Sequence, residues 1–532
     1  MSLKNCSSSA NPIQGEAKKS LWRQPSTWAC LAAIVLLLAS ANVLLFAKEK
    51  TPDSKIKVKH KVNDKITASQ ENQTNADTDT QNIVRSDSAA AVLSTSTAYY
   101  VSTTGSNLND GLSETSPFKT ISKAVSVAQA GETILVRGGI YNEKITMPYS
   151  GTADNPIVMQ NYPSETPIID GTGIAAVDDG ALLTISSKSY IKIIGFEVRN
   201  YVSPNARCVM GIRVDGGDSQ GIEIRNCKVH DIRTTYSGSN ANRNAHAIAV
   251  YGTIKDLNRS IDGIIIDGNE VYNCKLGQSE AITFNGNVTN FQVTNNRVHD
   301  NDNIGICMIG FEGTANNDNA GVASAMQDRA RHGLCAQNQV WNISSGNNPT
   351  YGEKCADAIY VDGGYDILIE RNIVDNSDIG VEAASEHKGC KTQYITIRNN
   401  LITKCKGVGG ILFGGASRSN GTATDVKIFN NTLYNNEPHL GIGYANSSTN
   451  EVKNNICYVG TYLEGTKGNN VISNNRTANP LFVNIAAKDF HLQASSPAIN
   501  KGVVVNYGDV DLDGNPRVQG SAVDQGCYEY IP

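Results

Sequence analysis

Apolar and polar positions along this chain fall into two recurring phrases rather than one continuous period. The first phrase, apolar-x-apolar-x-x-Asn-x-apolar, occurs at 263–271, 290–298, 366–374, 394–402 and 425–433. Aligned, its copies stack Asn269, Asn296, Asn338, Asn372, Asn400, Asn431 and Asn455 in one column headed by Cys227. Asn tolerates left-handed turn geometry and can hydrogen-bond a copy of itself one coil away, so the column marks the same turn in successive coils. The second phrase, small-Ile-x-apolar, gives the ladder Ile212, Ile248, Ile282, Ile306, Ile359, Val381, Ile411 and Ile442. Period-2 alternation predicts strands, and a repeated β-branched residue predicts parallel strands stacked in register. The shortest steps, Ile282 to Ile306 and Ile359 to Val381, suit one coil of three short strands and three turns; the longer ones must carry loops.

If the ladder points inward, its neighbours point outward in three columns. The first is small throughout (Gly211, Ala247, Ala281, Gly305, Ala358, Gly380, Gly410, Gly441) and is expected to floor a shallow trough. The second contains Arg213, Thr283, Cys307, Tyr360 and Glu382, and the third Asp215, Tyr251, Asn285, Ile309 and Asp362. His246, Glu280 and Asp357 stand at the bend before their strands.

Asp357, Asp362 and Glu382 therefore fall on consecutive coils, and the strand spacing puts Asp362 and Glu382 about 8 Å apart at Cβ. Two carboxylates at such a distance, one protonated and one ionised, are what glycoside hydrolysis needs, and crowding separates their pKa values. These three are the candidate catalytic residues. His246, Tyr251, Glu280, Asn285, Tyr360, Glu386 and His387 are the candidate substrate-binding residues, with no metal ligand assigned. The longest step, from Ile306 to Ile359, supplies inserts that can wall the trough and bring Glu312, Asp328, Arg329, Arg331 and His332 to it.

Composition narrows the function classes. Charged residues are only 18% of the chain, Gly numbers 48 of 532, and the formal charge of −5 provides no basic face for nucleic acid. None of the twelve Cys forms a CxxC pair, so stacked free thiols are expected at Cys227, Cys274, Cys307, Cys335 and Cys405, with Cys355 and Cys390 the pair to test for a disulfide. Asp509, Asp511 and Asp513 have Gly520 where a calcium loop needs its twelfth-position Glu, so a turn is expected there.

Residues 28–47 contain an uncharged run long enough to span a bilayer, after a basic segment 1–27, and 48–97 are too polar to fold. The expected organisation is a cytoplasmic segment (1–27), a membrane anchor or cleaved signal peptide (28–47), a disordered linker (48–97), an N-terminal cap with first coils (98–180), β-helix repeats (181–478) and a C-terminal cap segment (479–532). The folded part would lie outside the cytoplasm, membrane-held or secreted, and monomeric.

The opening YYVSTTGSNLNDGLSETSPFKTISKAVSVAQAGETILVRGGIYNEKI, with Phe118, Ile121, Val125 and Ala128 at helical spacing, resembles the start of polysaccharide lyase family 9. The ending NPLFVNIAAKDFHLQASSPAINKG, then DLDGNPR and DQGCYEY, is similar to the C-terminal segment of that group. Over about residues 98 to 532 the chain resembles the pectate lyase superfamily. That implies an all-β fold, a single-stranded right-handed parallel β-helix, with a polysaccharide or oligosaccharide as partner. Family 9 further implies calcium held by aspartates and a lysine base. Here no outward column holds a Lys and ADAIYVDGG lacks the Asp-Gly-Phe pattern, leaving Lys275, Lys354 and Lys388 as loop candidates. The carboxylates instead resemble those of β-helical glycoside hydrolases such as the family 120 β-xylosidases. Three functions stay open: a hydrolase needing no cofactor, a Ca2+-dependent lyase or epimerase, and a non-catalytic polysaccharide-binding module.

Overall fold

A computed structural model describes residues 97–315, 326–415, 419–443 and 447–532, so the anchor expected over 28–47 and all but the last residue of the linker lie outside the described residues. Among the described residues no helix is long and apolar enough to cross a membrane. After a strand at Ala98–Val101 comes a short helix, α1 (Ile121–Val125), capped by the Thr120 side chain and by Glu143, whose carboxylate accepts from Ile121 N (2.8 Å) and Ser122 N (2.9 Å). Phe118, Ile121, Val125 and Ala128 are all buried and close the first coils.

Successive coils then build three parallel sheets, of 17, 11 and 11 strands among the described residues. The sheet that carries the ladder includes β1 (Val209–Gly216), β2 (Ala245–Gly252), β3 (Ile282–Gly286), β4 (Ile306–Ile309), β5 (Asp357–Asp362), β6 (Ile379–Ala384) and β7 (Gly409–Gly414). Its register pairs Ile212 with Ile248, then Ile282, Ile306, Ile359, Val381 and Ile411, all fully buried. The next step corrects the expected ladder: Ile411 faces Leu440, and Ile442 faces Phe413. A slip of two residues keeps every side chain on its own face, so alternation alone does not detect it.

The small-residue column also differs from expectation. Ala247, Ala281 and Ala358 belong to the main core, and a Cβ on Gly211, Gly305 or Gly380 would strike Val229, Val340 or Ile402 from within the coil. The column is small because it lines the inside of the bend, where a neighbouring sheet crowds it. The residue before the bend turns outward instead: Ile304 packs with Cys307, Ile309, Tyr360 and Ala384 on the outer face, in a cluster separate from the core.

The Asn column divides two jobs that the sequence merges. Left-handed backbone falls on the preceding residue, as at Asn295 (φ 56), Arg371 (φ 54), Asn399 (φ 55) and Asn430 (φ 54). The column residue itself is buried and tied both ways. Asn338 donates from its backbone N and Nδ2 to Asn372 Oδ1, and Asn372 donates likewise to Asn400 Oδ1. Asn372 Nδ2 also donates to Cys335 O (3.0 Å). Cys227 heads the chain by donating its N–H to Asn269 Oδ1. Cys227, Cys274, Cys335 and Cys405 are free and buried, as are Cys355 and Cys390, which form no bridge.

Residues 479–532 pack along the flank, burying Phe482, Phe490, Leu492 and Tyr528 against Leu401 and Ile456. Asp511 is buried and accepts the N–H groups of Asp513, Asn515 and Glu529, which is turn geometry.

Replacing one ladder amide orphans donors on the coil before, the N–H and Nδ2 of Asn338 for Asn372, and takes the side-chain donor from Cys335 O. Asn372→Ala is therefore expected to destabilise by on the order of 2–4 kcal/mol. Equilibrium urea unfolding checks this against Gln292→Ala on an exposed strand position, for which a change within about 0.5 kcal/mol is expected.

Candidate functional site

Because Ile359, Val361, Val381 and Ala383 are inward, Tyr360, Asp362 and Glu382 must be outward. Register then decides their neighbours: Tyr360 sits opposite Glu382, Asp362 opposite Ala384 and Asp357 opposite Ile379. Asp362 and Glu382 are thus diagonal on adjacent strands.

The first insert after β4 brings in an acid that the strand pattern alone would miss. Phe311 takes left-handed backbone (φ 69) and turns the chain back over the sheet. The turn is secured by Asp328, which accepts from Gly313 N (2.7 Å) and Ala315 N (2.8 Å), and by Thr314 Oγ1, which donates to Asn285 Oδ1 (2.6 Å). Arg329 lies between the rings of Phe311 and Tyr365 and donates to the carbonyls of Gly363, Gly364 and Lys391. With its foot so fixed, Glu312 reaches His387, Oε1 to Nε2 3.0 Å, on the turn after β6. A second insert lies toward the bend side, where Asn348 Nδ2 donates to Gly277 O and Asp302 O, and Asn240 Nδ2 to Thr350 O.

Glu280, Glu312, Asp362, Glu386 and His387 influence one another electrostatically. Burial, with Glu312 nearby, pushes Glu280 up to about 8. Burial, then the Glu386 charge, holds Asp362 well above the usual carboxylate range, although Glu386 N donates to its Oδ1 (2.8 Å). Burial opposes charge on His387, but Glu312, Asp362 and Glu386 outweigh it and lift the imidazole to about 9. Tyr360 is buried, its hydroxyl 3.5 Å from Glu386 Oε1, so it offers the trough no open ring face.

His246, Tyr251 and Asn285 lie on earlier strands. Buried His246 accepts at Nε2 from the Tyr251 hydroxyl (2.8 Å) and donates from Nδ1 to Glu280 O (2.9 Å), which fixes its tautomer. Burial lowers its pKa to about 4, so the ring is neutral. Asn285 is occupied by Thr314, Arg331 donates to Asn287 Oδ1, and His332 pairs with Asp366. Of the loop lysines, Lys275 lies near Asp302 and Lys354 near Asp378, while Lys388 is exposed.

Comparison with known proteins starts from a family model described as "Pel9A-like, right handed beta helix region", which matches residues 99–290. The uncharacterized protein YwoF of Bacillus subtilis (strain 168) is 36% identical over 341 residues, 64% of this chain and 68% of that protein. The chain belongs to the Pel9A-like right-handed β-helix family. A shorter match, 35% over 113 residues, joins 19% of this Pel9A-like chain to 27% of the pectate lyase PEL9 of Emericella nidulans. The crystal structure of pectate lyase Pel9A shares the fold at a TM-score of 0.50 and 16% identity, over 82% of this chain and 96% of that one.

Family membership makes calcium the cofactor to test against the residues present. Glu312, Asp362 and His387 bring one donor atom each within 4.8 Å of one another. Calcium takes six to eight oxygens, whereas one of these three atoms is an imidazole nitrogen already hydrogen-bonded to Glu312. This donor set does not fit calcium.

The Tyr251–His246 pair yields a stability prediction. Tyr251→Phe leaves the buried Nε2 without its donor and is expected to cost about 1–3 kcal/mol. Thermal unfolding measures it; a wild-type melting temperature would show that solvent replaces the hydroxyl.

Proposed function

We propose that this Pel9A-like chain cleaves glycosidic bonds of a polysaccharide or oligosaccharide lying on the outer face of this sheet, by hydrolysis between Asp362 and Glu382, with Asp357 buried at the start of the strand that ends in Asp362. The observation that carries the reading is the diagonal placement of Asp362 and Glu382 on hydrogen-bonded strands, together with burial that holds Asp362 well above the usual carboxylate range. Asp362 is then the general acid that protonates the leaving oxygen, and Glu382 the base that activates water. Their diagonal spacing of about 8 Å at Cβ leaves room for a glycosidic bond and a water between acid and base. The enzyme would act outside the cytoplasm, held by residues 28–47 or released if they are cleaved.

A lyase is the second reading, supported by the partial match to a pectate lyase. Against it stand the absence of lysine from the outer columns and a donor set unsuited to calcium.

Incubation with neutral and uronate polysaccharides, with and without chelator, following reducing ends together with unsaturated-uronide absorbance, separates the readings. Reducing ends without absorbance are expected. Absorbance that vanishes on chelation would establish the lyase, and binding without either signal a non-catalytic module. On a cleaved substrate, Glu382→Gln and Asp362→Asn should each lower kcat by about 10²–10⁴ with the fold intact by circular dichroism. Unchanged turnover in Glu382→Gln would remove the residue from the mechanism.

A further inference from the structure

We propose that His387, as an imidazolium held between Glu312 and Asp362, is the resident cation of the candidate site, supplying from the chain the positive charge that a calcium ion would supply from solution. The three groups come from separate elements: Glu312 from the insert after β4, Asp362 from the end of β5 and His387 from the turn after β6. Their donor atoms all lie within 4.8 Å, and Nε2 stands 3.0 Å from Glu312 Oε1, a charge-assisted hydrogen bond. The side chains of His387 and Glu312 are 18% and 25% exposed, so solvent screens the pair incompletely.

The ionisable groups facing the ring are Glu312 from the insert, Asp362 from β5, Glu386 from its own turn and Asp328 from the foot of the insert, all acids. They lift the imidazole to about 9 against the cost of burial, which leaves the ring charged at neutral pH. Two roles follow from one charge. The imidazolium fastens the insert to the coil two strands away, and it offsets part of the negative potential over the carboxylates. A polyuronate would still meet the remaining acids without a bridging metal, so the proposal directs the site toward uncharged glycans. That last step rests on the glycan reading above; the charge state of His387 does not.

The test needs no substrate. NMR titration of histidine-labelled full-length protein is expected to show the His387 ring charged at pH 7.5 and titrating near 9, with Glu312→Gln moving it back toward its ordinary ~6.5. A pKa raised on folding stabilises fully below the unfolded value and ceases to as pH passes the folded one. The melting temperature of wild type should therefore exceed that of His387→Gln at pH 6, and the gap should close as pH rises through about 9. Calcium, zinc and EDTA should leave the wild-type melting temperature unchanged. A neutral ring at pH 7, or a metal that raises the wild-type melting temperature but not that of His387→Gln, would overturn the proposal. Should His387→Gln fail to fold, the Glu312→Gln titration still decides. Failure to hydrolyse any glycan would refute the proposed function and leave these results as they stand.

Discussion

The amide ladder through Asn269, Asn296, Asn338, Asn372, Asn400, Asn431 and Asn455 is the constraint on which the rest of the molecule depends. Each amide accepts from the coil before and donates to the coil after, so it satisfies buried backbone groups only when copies are in register. Parallel strands of separate coils share no turn that could fix their alignment. The ladder supplies that alignment from inside, and the apolar column of Ile248, Ile282, Ile306 and Ile359 reinforces it on another sheet.

Register, once fixed inside, dictates the outside. On one sheet it stacks the rings of His230, Tyr272, His299 and Trp341 at centroid distances of 4.6, 5.2 and 4.1 Å. On another it makes Asp362 and Glu382 diagonal neighbours. Stacking that favours like beside like in the core brings acids together on the surface, where their repulsion must be offset. Part of the offset is the raised pKa of Glu280 and Asp362, and part is the imidazole of His387.

The inserts turn an acidic strand face into a candidate site. Arg329 contributes through its position between two rings and beneath three carbonyls, which anchors the chain that presents Glu312. Asp328 works similarly, by accepting N–H groups of the insert.

Sequence by itself determined the parallel solenoid, its Asn column, the inward ladder up to Ile411 and the gathering of Asp357, Asp362 and Glu382 on consecutive coils. Those features repeat or alternate, and repetition is visible one residue type at a time. Tertiary structure alone decided which face the small column takes, because Ala247 and Gly305 are equally at home beneath a sugar or inside a bend; only the neighbouring sheet distinguishes the two. It decided the shift that puts Leu440, not Ile442, opposite Ile411, since a two-residue slip preserves alternation. It also decided that Glu312 meets His387, 75 residues away, because an insert has no period and its end is fixed by what it packs against.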